Sequence, residues 1–184
     1  MVSLNAFAGG LDMDAHKRLM PNPIYTGCPM STTVSYIASR SIDRDPGDGE
    51  RRLGPFILPP FQRPPVWSRD QQTRLIESLW LGLPVGVFVF NQGQYGSRTS
   101  MWLLDGQQRI TAVLDYLADG FPVFGKRFSE TTDVDRRGFE NKHFPCVKLE
   151  MTDRAAMEEI YYRLAYGGTP HDPLTEIPSE RKAL

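Results

Sequence analysis

The sequence predicts an α+β fold in which a small mixed sheet is packed by helices. Three observations carry that expectation. Strand-like and helix-like stretches alternate irregularly, whereas a strict alternation would indicate a parallel sheet. Two β-rich runs, 83–90 and 100–104, flank the turn-prone NQGQYGSRT (91–99), and an antiparallel hairpin is the simplest way to join them. The 184 residues suit one compact unit and are short for two. We therefore expect a flexible arm over 1–25 and a single domain over 26–184.

Residues 1–25 scatter Gly, Pro and Met without a sustained period, as an unanchored tail does. STTVSYIASRSI (31–42) fits a short helix or a strand, and its β-branched content tilts the reading to strand. DRDPGDGERR (43–52) reads as polar loop. GPFILPP (54–60), an apolar run closed by prolines, suits an edge strand leading into a turn. Ser68 and Gln71 then form a capping box ahead of Leu75, Ile76, Leu79 and Trp80 on one helical face, with Gly82 as a stop.

After the hairpin a second helix runs from Gly106 to about Leu117 and presents Ile110, Val113, Leu114 and Leu117. Burying four such side chains at roughly 1.5 to 3 kcal/mol each is enough to pin it to the sheet. The stretch 125–142 is polar, FPCVKLE (144–150) reads as a strand, and Thr152 or Asp153 caps a third helix to Ala165. Gly167 and Gly168 end that helix or form a phosphate loop; a helix cap is the simpler reading.

The 21 basic and 22 acidic residues give a net charge of -1, which excludes the strongly basic surface of a DNA-coating protein. The distribution is uneven. Between Arg51 and Arg109 stand seven arginines (51, 52, 63, 69, 74, 98, 109), no lysine and three acids (Asp70, Glu77, Asp105), a local +4 that leaves -5 elsewhere. Guanidinium forks match phosphate oxygens better than ammonium groups do. Cys28 and Cys146 lie far apart and outside any CxxC spacing, so neither a disulfide framework nor a thiolate metal site is indicated, and a cytoplasmic setting is expected. No apolar run approaches the roughly 20 residues of a membrane span, and the N-terminus lacks a signal-peptide layout. No membrane partner is expected.

LLDGQQRIT (103–111) places the polar pentapeptide Asp105–Arg109 where a strand runs into a helix. Asp105 can be read as an N-cap that accepts from first-turn backbone donors. A second reading takes the whole pentapeptide as a phosphate and metal corner. Gly106 permits close ligand approach, Gln107 and Gln108 supply amides, and Arg109 supplies a fork, all at the positive end of a helix dipole. Asp105 could then hold a magnesium ion beside phosphate oxygens.

FQRPPVW (61–67), SLWLGLPVGVFVF (78–90), LLDGQQRITAV (103–113) and YYRLAYGGTP (161–170) occur in the order and approximate spacing of the N-terminal domain of GmrSD-type modification-dependent restriction proteins, which the chain resembles over about 55–170. That domain, found also in SspE-like phage-defence proteins, is similar to the ParB/sulfiredoxin superfamily. The resemblance implies a ParB/sulfiredoxin-like, NTP-binding and NTP-hydrolysing domain with Mg2+ as cofactor and NTP as substrate. It makes Asp105, Gln107, Gln108 and Arg109 the catalytic candidates, with Asp105 also the metal ligand. Gln62, Arg63, Gly106 and Arg109 are the nucleotide-binding candidates, the first two converging from the earlier turn. The implied partners are a nucleotide and modified DNA or a separate DNA-acting subunit. Two departures stand out. Ala165 occupies the place of an asparagine in RLAYGG, and the chain ends at Leu184 without the nuclease domain, so it is not expected to cut DNA alone.

Other residues divide between packing and chemistry. Trp67, Trp80 and Trp102 each adjoin an apolar element and read as core or rim. Tyr95, beside Arg98 in the hairpin loop, is the better stacking candidate. His143 and His171 lack a placed acidic partner, and His16 joins them in no nuclease-like cluster. The sulfiredoxin branch needs a cysteine where Gln107 and Gln108 stand, which argues against thiol repair. Three functions follow: a magnesium-dependent NTPase, a phosphotransferase (kinase) moving phosphate to a hydroxyl of a small molecule or modified base, and a non-catalytic DNA- or partner-binding module.

Overall fold

The computed structural model describes residues 22–38 and 44–166. Phe88–Asn91 (β4) and Trp102–Asp105 (β5) pair antiparallel at the centre of a six-stranded mixed sheet. Outward from β4, His143–Leu149 (β6) runs parallel to it and Cys28–Thr33 (β1) closes that edge antiparallel to β6. On the other side Phe56–Leu58 (β3) lies parallel to β5, and Arg51–Leu53 (β2) forms the second edge. The order is β1-β6-β4-β5-β3-β2.

The inner strands are apolar on both faces because helices cover both. Alternate side chains sort into two cores. Phe56, Phe88, Phe90, Leu103 and Phe144 face Val34–Ala38 (α1), Arg69–Trp80 (α2), Gln107–Leu117 (α3) and Asp133–Glu140 (α4). Ile57, Val89, Trp102, Leu104 and Leu149 face Arg154–Tyr166 (α5) through Met157 and Ile160. Phe56, Phe88 and Phe90 contact one another with ring centroids 5.3 to 5.9 Å apart, which ties β3 to β4 across β5 on the larger face.

The α+β class and the mixed sheet agree with the sequence reading, as do the capping box at Ser68 and Gln71 and the antiparallel hairpin. Several elements differ. The 31–42 stretch splits, with strand through Thr33 and helix from Val34. Arg51–Leu53, expected as loop, is the edge strand, which moves the GPFILPP strand inward by one place. The polar stretch 125–142 contains α4, started by a Thr132/Asp135 capping box and anchored by the buried Phe139. One aromatic anchor per two turns gives too weak a period to read from sequence. Asp153 caps α5, accepting from the Ala155 N–H at 2.9 Å. Most of the proposed 1–25 arm, and Gly167, Gly168, His16 and His171, lie outside the described residues.

Glu50 ties the 44–50 loop to the sheet. Its carboxylate accepts from both terminal nitrogens of Arg44 (2.7 and 2.9 Å), from the Gly47 N–H (2.7 Å) and from the Trp102 indole (2.6 Å). Burial alone raises the Glu50 carboxyl, but these hydrogen bonds and the Arg44 charge outweigh it and hold the group below the usual range. A depressed folded value stabilises the fold above the unfolded pKa of about 4.3, and the contribution is lost as pH falls through the folded value. Glu50→Gln should destabilise the protein by about 1–3 kcal/mol at pH 7. The difference from wild type should shrink as the pH is taken well below about 4, which thermal melts across that range would show.

Candidate functional site

The corner after β5 is built on a glycine. Gly106 has φ 105° and ψ 5°, in the left-handed region. A Cβ there would overlap the Phe88 side chain and lie 3.2 Å from the Phe88 Cα. Both backbone angle and space therefore demand glycine. Gly106, and not Asp105, is the N-cap of α3, and no side-chain cap hydrogen bond is made there among the described residues. The expected Asp105 cap is thereby corrected: the left-handed turn leaves Asp105 at the strand end, where Oδ2 accepts from an Arg109 terminal nitrogen at 2.8 Å.

A cleft of about 200 Å3 opens at this corner. Its lining includes Gln62, Arg63, Asp105, Gly106, Gln107, Gln108 and Arg109, all seven residues singled out from the sequence. The structure brings the two segments together although some 40 residues separate them, because β3 and β5 are parallel neighbours and the chains leaving them emerge at the same end of the sheet. Trp67, Leu104, Tyr161, Leu164 and Ala165 complete the wall.

The polar groups differ in what they touch. Gln107 is 8% exposed, and its Nε2 is buried without a hydrogen-bond partner among the described residues. The Arg109 Nε is likewise buried and unpartnered, while a terminal nitrogen of the same fork donates to the Val87 carbonyl at 2.7 Å as well as to Asp105. Gln62 is occupied, its Nε2 donating to the Leu103 carbonyl. Gln108 is occupied too, its Oε1 accepting from the Val66 and Trp67 N–H groups at 3.0 and 3.1 Å. The Arg63 guanidinium is exposed, 5.8 Å from the Tyr166 ring centre, with no carboxylate within ion-pair distance among the described residues.

Sequence reasoning passed over Tyr161, whose hydroxyl accepts from the Arg63 N–H at 3.4 Å. Burial, its largest influence, pushes that hydroxyl above the usual tyrosine range and keeps it protonated. The adjacent aromatics of YYRLAY gave no clue to which ring turns inward, since only the docking of α5 decides it. Trp67 is a rim residue that also packs on the larger core. Trp102 is core and donates to Glu50, whereas Trp80 is half-buried against the larger core and donates to the Tyr116 hydroxyl. Tyr95 is exposed in its loop and lines no part of the cleft, and His143 pairs with Ser31 on the β1–β6 edge.

Among the described residues, Asp105 is the one carboxylate lining the cleft, and there is no cluster of three or more His, Cys, Asp or Glu able to cage a metal. Residues 47–177, well over half the chain, match the family described as GmrSD restriction endonuclease, N-terminal domain. The chain belongs to that family. The matched span encloses every residue of the cleft, and membership associates this GmrSD N-terminal domain with restriction and phage defence. No curated protein and no solved structure matches the chain. No helix among the described residues is long and apolar enough to cross a membrane.

The corner geometry gives a direct stability comparison. Gly106→Ala combines a left-handed backbone, costing about 1–3 kcal/mol, with overlap against Phe88. Asp105→Asn loses a half-exposed ion pair worth about 0–1 kcal/mol. Urea unfolding should show the alanine variant to be clearly the less stable of the two.

Proposed function

We propose that the cleft binds the phosphates of a nucleoside triphosphate and promotes transfer of the terminal phosphoryl group to water, in a domain that serves action on modified DNA by a DNA-acting partner. The observation that carries this reading is the pair of buried donors without acceptors, Gln107 Nε2 and Arg109 Nε, in a cleft at the uncapped N-terminus of α3. Each unsatisfied donor costs about 1–3 kcal/mol, which an acceptor-rich ligand recovers on binding. Phosphate is the ligand class with that acceptor density, and the helix end favours its charge.

The chemistry of such a transfer is mostly positioning and charge stabilisation. The Arg109 fork and the Arg63 guanidinium, one from each wall, stabilise charge on the phosphate oxygens. Gln107 directs its amide at the reacting centre and orients the attacking water. Asp105 would hold magnesium, which binds through one or two carboxylates plus substrate phosphates and so fits a site with a single half-exposed carboxylate. Bound there, the ion supplies neutralisation of phosphate charge. Ala165, where the family tends to have asparagine, puts an apolar side chain in the wall and favours a second reading in which binding outlasts turnover.

Arg109→Ala should leave the melting temperature within a few degrees of wild type while reducing phosphate release by about 100-fold or more. Release would be followed with each NTP and magnesium, with and without hydroxyl acceptors. Free phosphate supports hydrolysis, phosphate on the acceptor identifies a kinase, and nucleotide binding without either identifies a binding module. A fully active Arg109→Ala protein would show that the corner is not the site.

A further inference from the structure

Gln107 and Gln108 are neighbours in sequence but point about 100° apart around α3, so one cannot do the work of the other. Gln107 lines the cleft, and its amide nitrogen is buried without a partner among the described residues. Gln108 faces the loop that carries Gln62 and Arg63. In that loop Pro64 and Pro65 have no N–H, so between Arg63 and Ser68 only Val66 and Trp67 offer backbone donors. Both bond to the single Gln108 Oε1, at 3.0 and 3.1 Å, which uses both lone pairs of that oxygen.

The opposite side of the loop is held equally firmly. Gln62 donates to the Leu103 carbonyl of β5, two residues before the corner. Arg63 therefore sits between two tethers, both rooted in the strand and helix that supply Asp105 and Arg109. Its guanidinium has no carboxylate to neutralise it among the described residues; from α5 the Tyr161 hydroxyl accepts from the Arg63 backbone N–H and the Tyr166 ring lies 5.8 Å from the guanidinium. A fork carried on a backbone held in this way, and left without a counter-charge, meets an anion with little backbone entropy left to lose.

We propose that Gln108 is a positioning residue: its side-chain carbonyl clamps the 66–67 backbone so that Arg63 faces the corner, and it does not itself touch the ligand. The proposal rests on the phosphate reading of the cleft and assigns the two glutamines of the motif separate tasks. What matters at 108 is then an acceptor of the right length, whereas a ligand-binding amide would matter as a donor.

Two measurements on the full chain test this. Without ligand, hydrogen exchange at the Val66 and Trp67 amides should accelerate by about tenfold or more in Gln108→Ala and stay slow in Gln108→Glu, which keeps an acceptor of the same reach. Unchanged exchange in Gln108→Ala overturns the clamp. With inorganic tripolyphosphate as probe, Gln108→Ala should weaken binding about tenfold in the wild-type background and less than about twofold when Arg63 is already alanine, since its effect passes through Arg63. Equal losses in both backgrounds would mean that Gln108 contacts the anion directly and would overturn the positioning role. Absence of binding to the wild-type chain overturns the phosphate reading itself, an outcome distinct from either of the others.

Discussion

The approach of Gly106 to Phe88 governs the rest of the corner. Phe88 is fully buried among the aromatic side chains that join β3, β4 and β6, so its position is set by the core and not by the site. A chain leaving β5 must pass it with no side chain and with a positive φ. That single constraint turns the chain, starts α3 without a side-chain cap, and leaves the helix donors facing the cleft. An aspartate cap in the same place would have consumed those donors and lowered the positive potential of the helix end.

Around this corner the polar groups fall into two populations. Gln62, Gln108 and one terminal nitrogen of Arg109 are committed to carbonyls, a carboxylate or N–H groups of the protein, and they fix geometry. Gln107 Nε2, Arg109 Nε and the Arg63 guanidinium are not so committed among the described residues. The commitments fix the arrangement, since flexible side chains tied to the backbone in this way have few rotamers left.

The second face of the sheet contributes through α5. It is the one helix among the described residues packed on that face, and Tyr161, Leu164 and Ala165 reach the cleft from it. Phe61 packs on the same face, its ring lying 5.2 Å from Tyr161 and 5.7 Å from Trp102. The Arg63 loop thus leans on α5 in one direction and on α3 in the other. Membership of the GmrSD N-terminal family covers both walls, so the cleft belongs to the family domain as a whole and not to an appended segment.

The sequence by itself determined the class of fold, the capping box of α2, the hairpin, and the two polar segments FQR and DGQQR, because each is written in local patterns of period, cap or turn. Arg51–Leu53 and α4 escaped it, since a three-residue edge strand and a helix with one aromatic anchor carry almost no periodic signal. At the site, residue identity was legible and residue role was not. Asp105 reads as a cap until Phe88 forces the turn onto Gly106, and Gln107 and Gln108 are interchangeable on paper. Only the tertiary structure separates them, because a hydrogen bond from Val66 and Trp67 to Gln108 spans more than 40 positions of chain and leaves no trace in any local window.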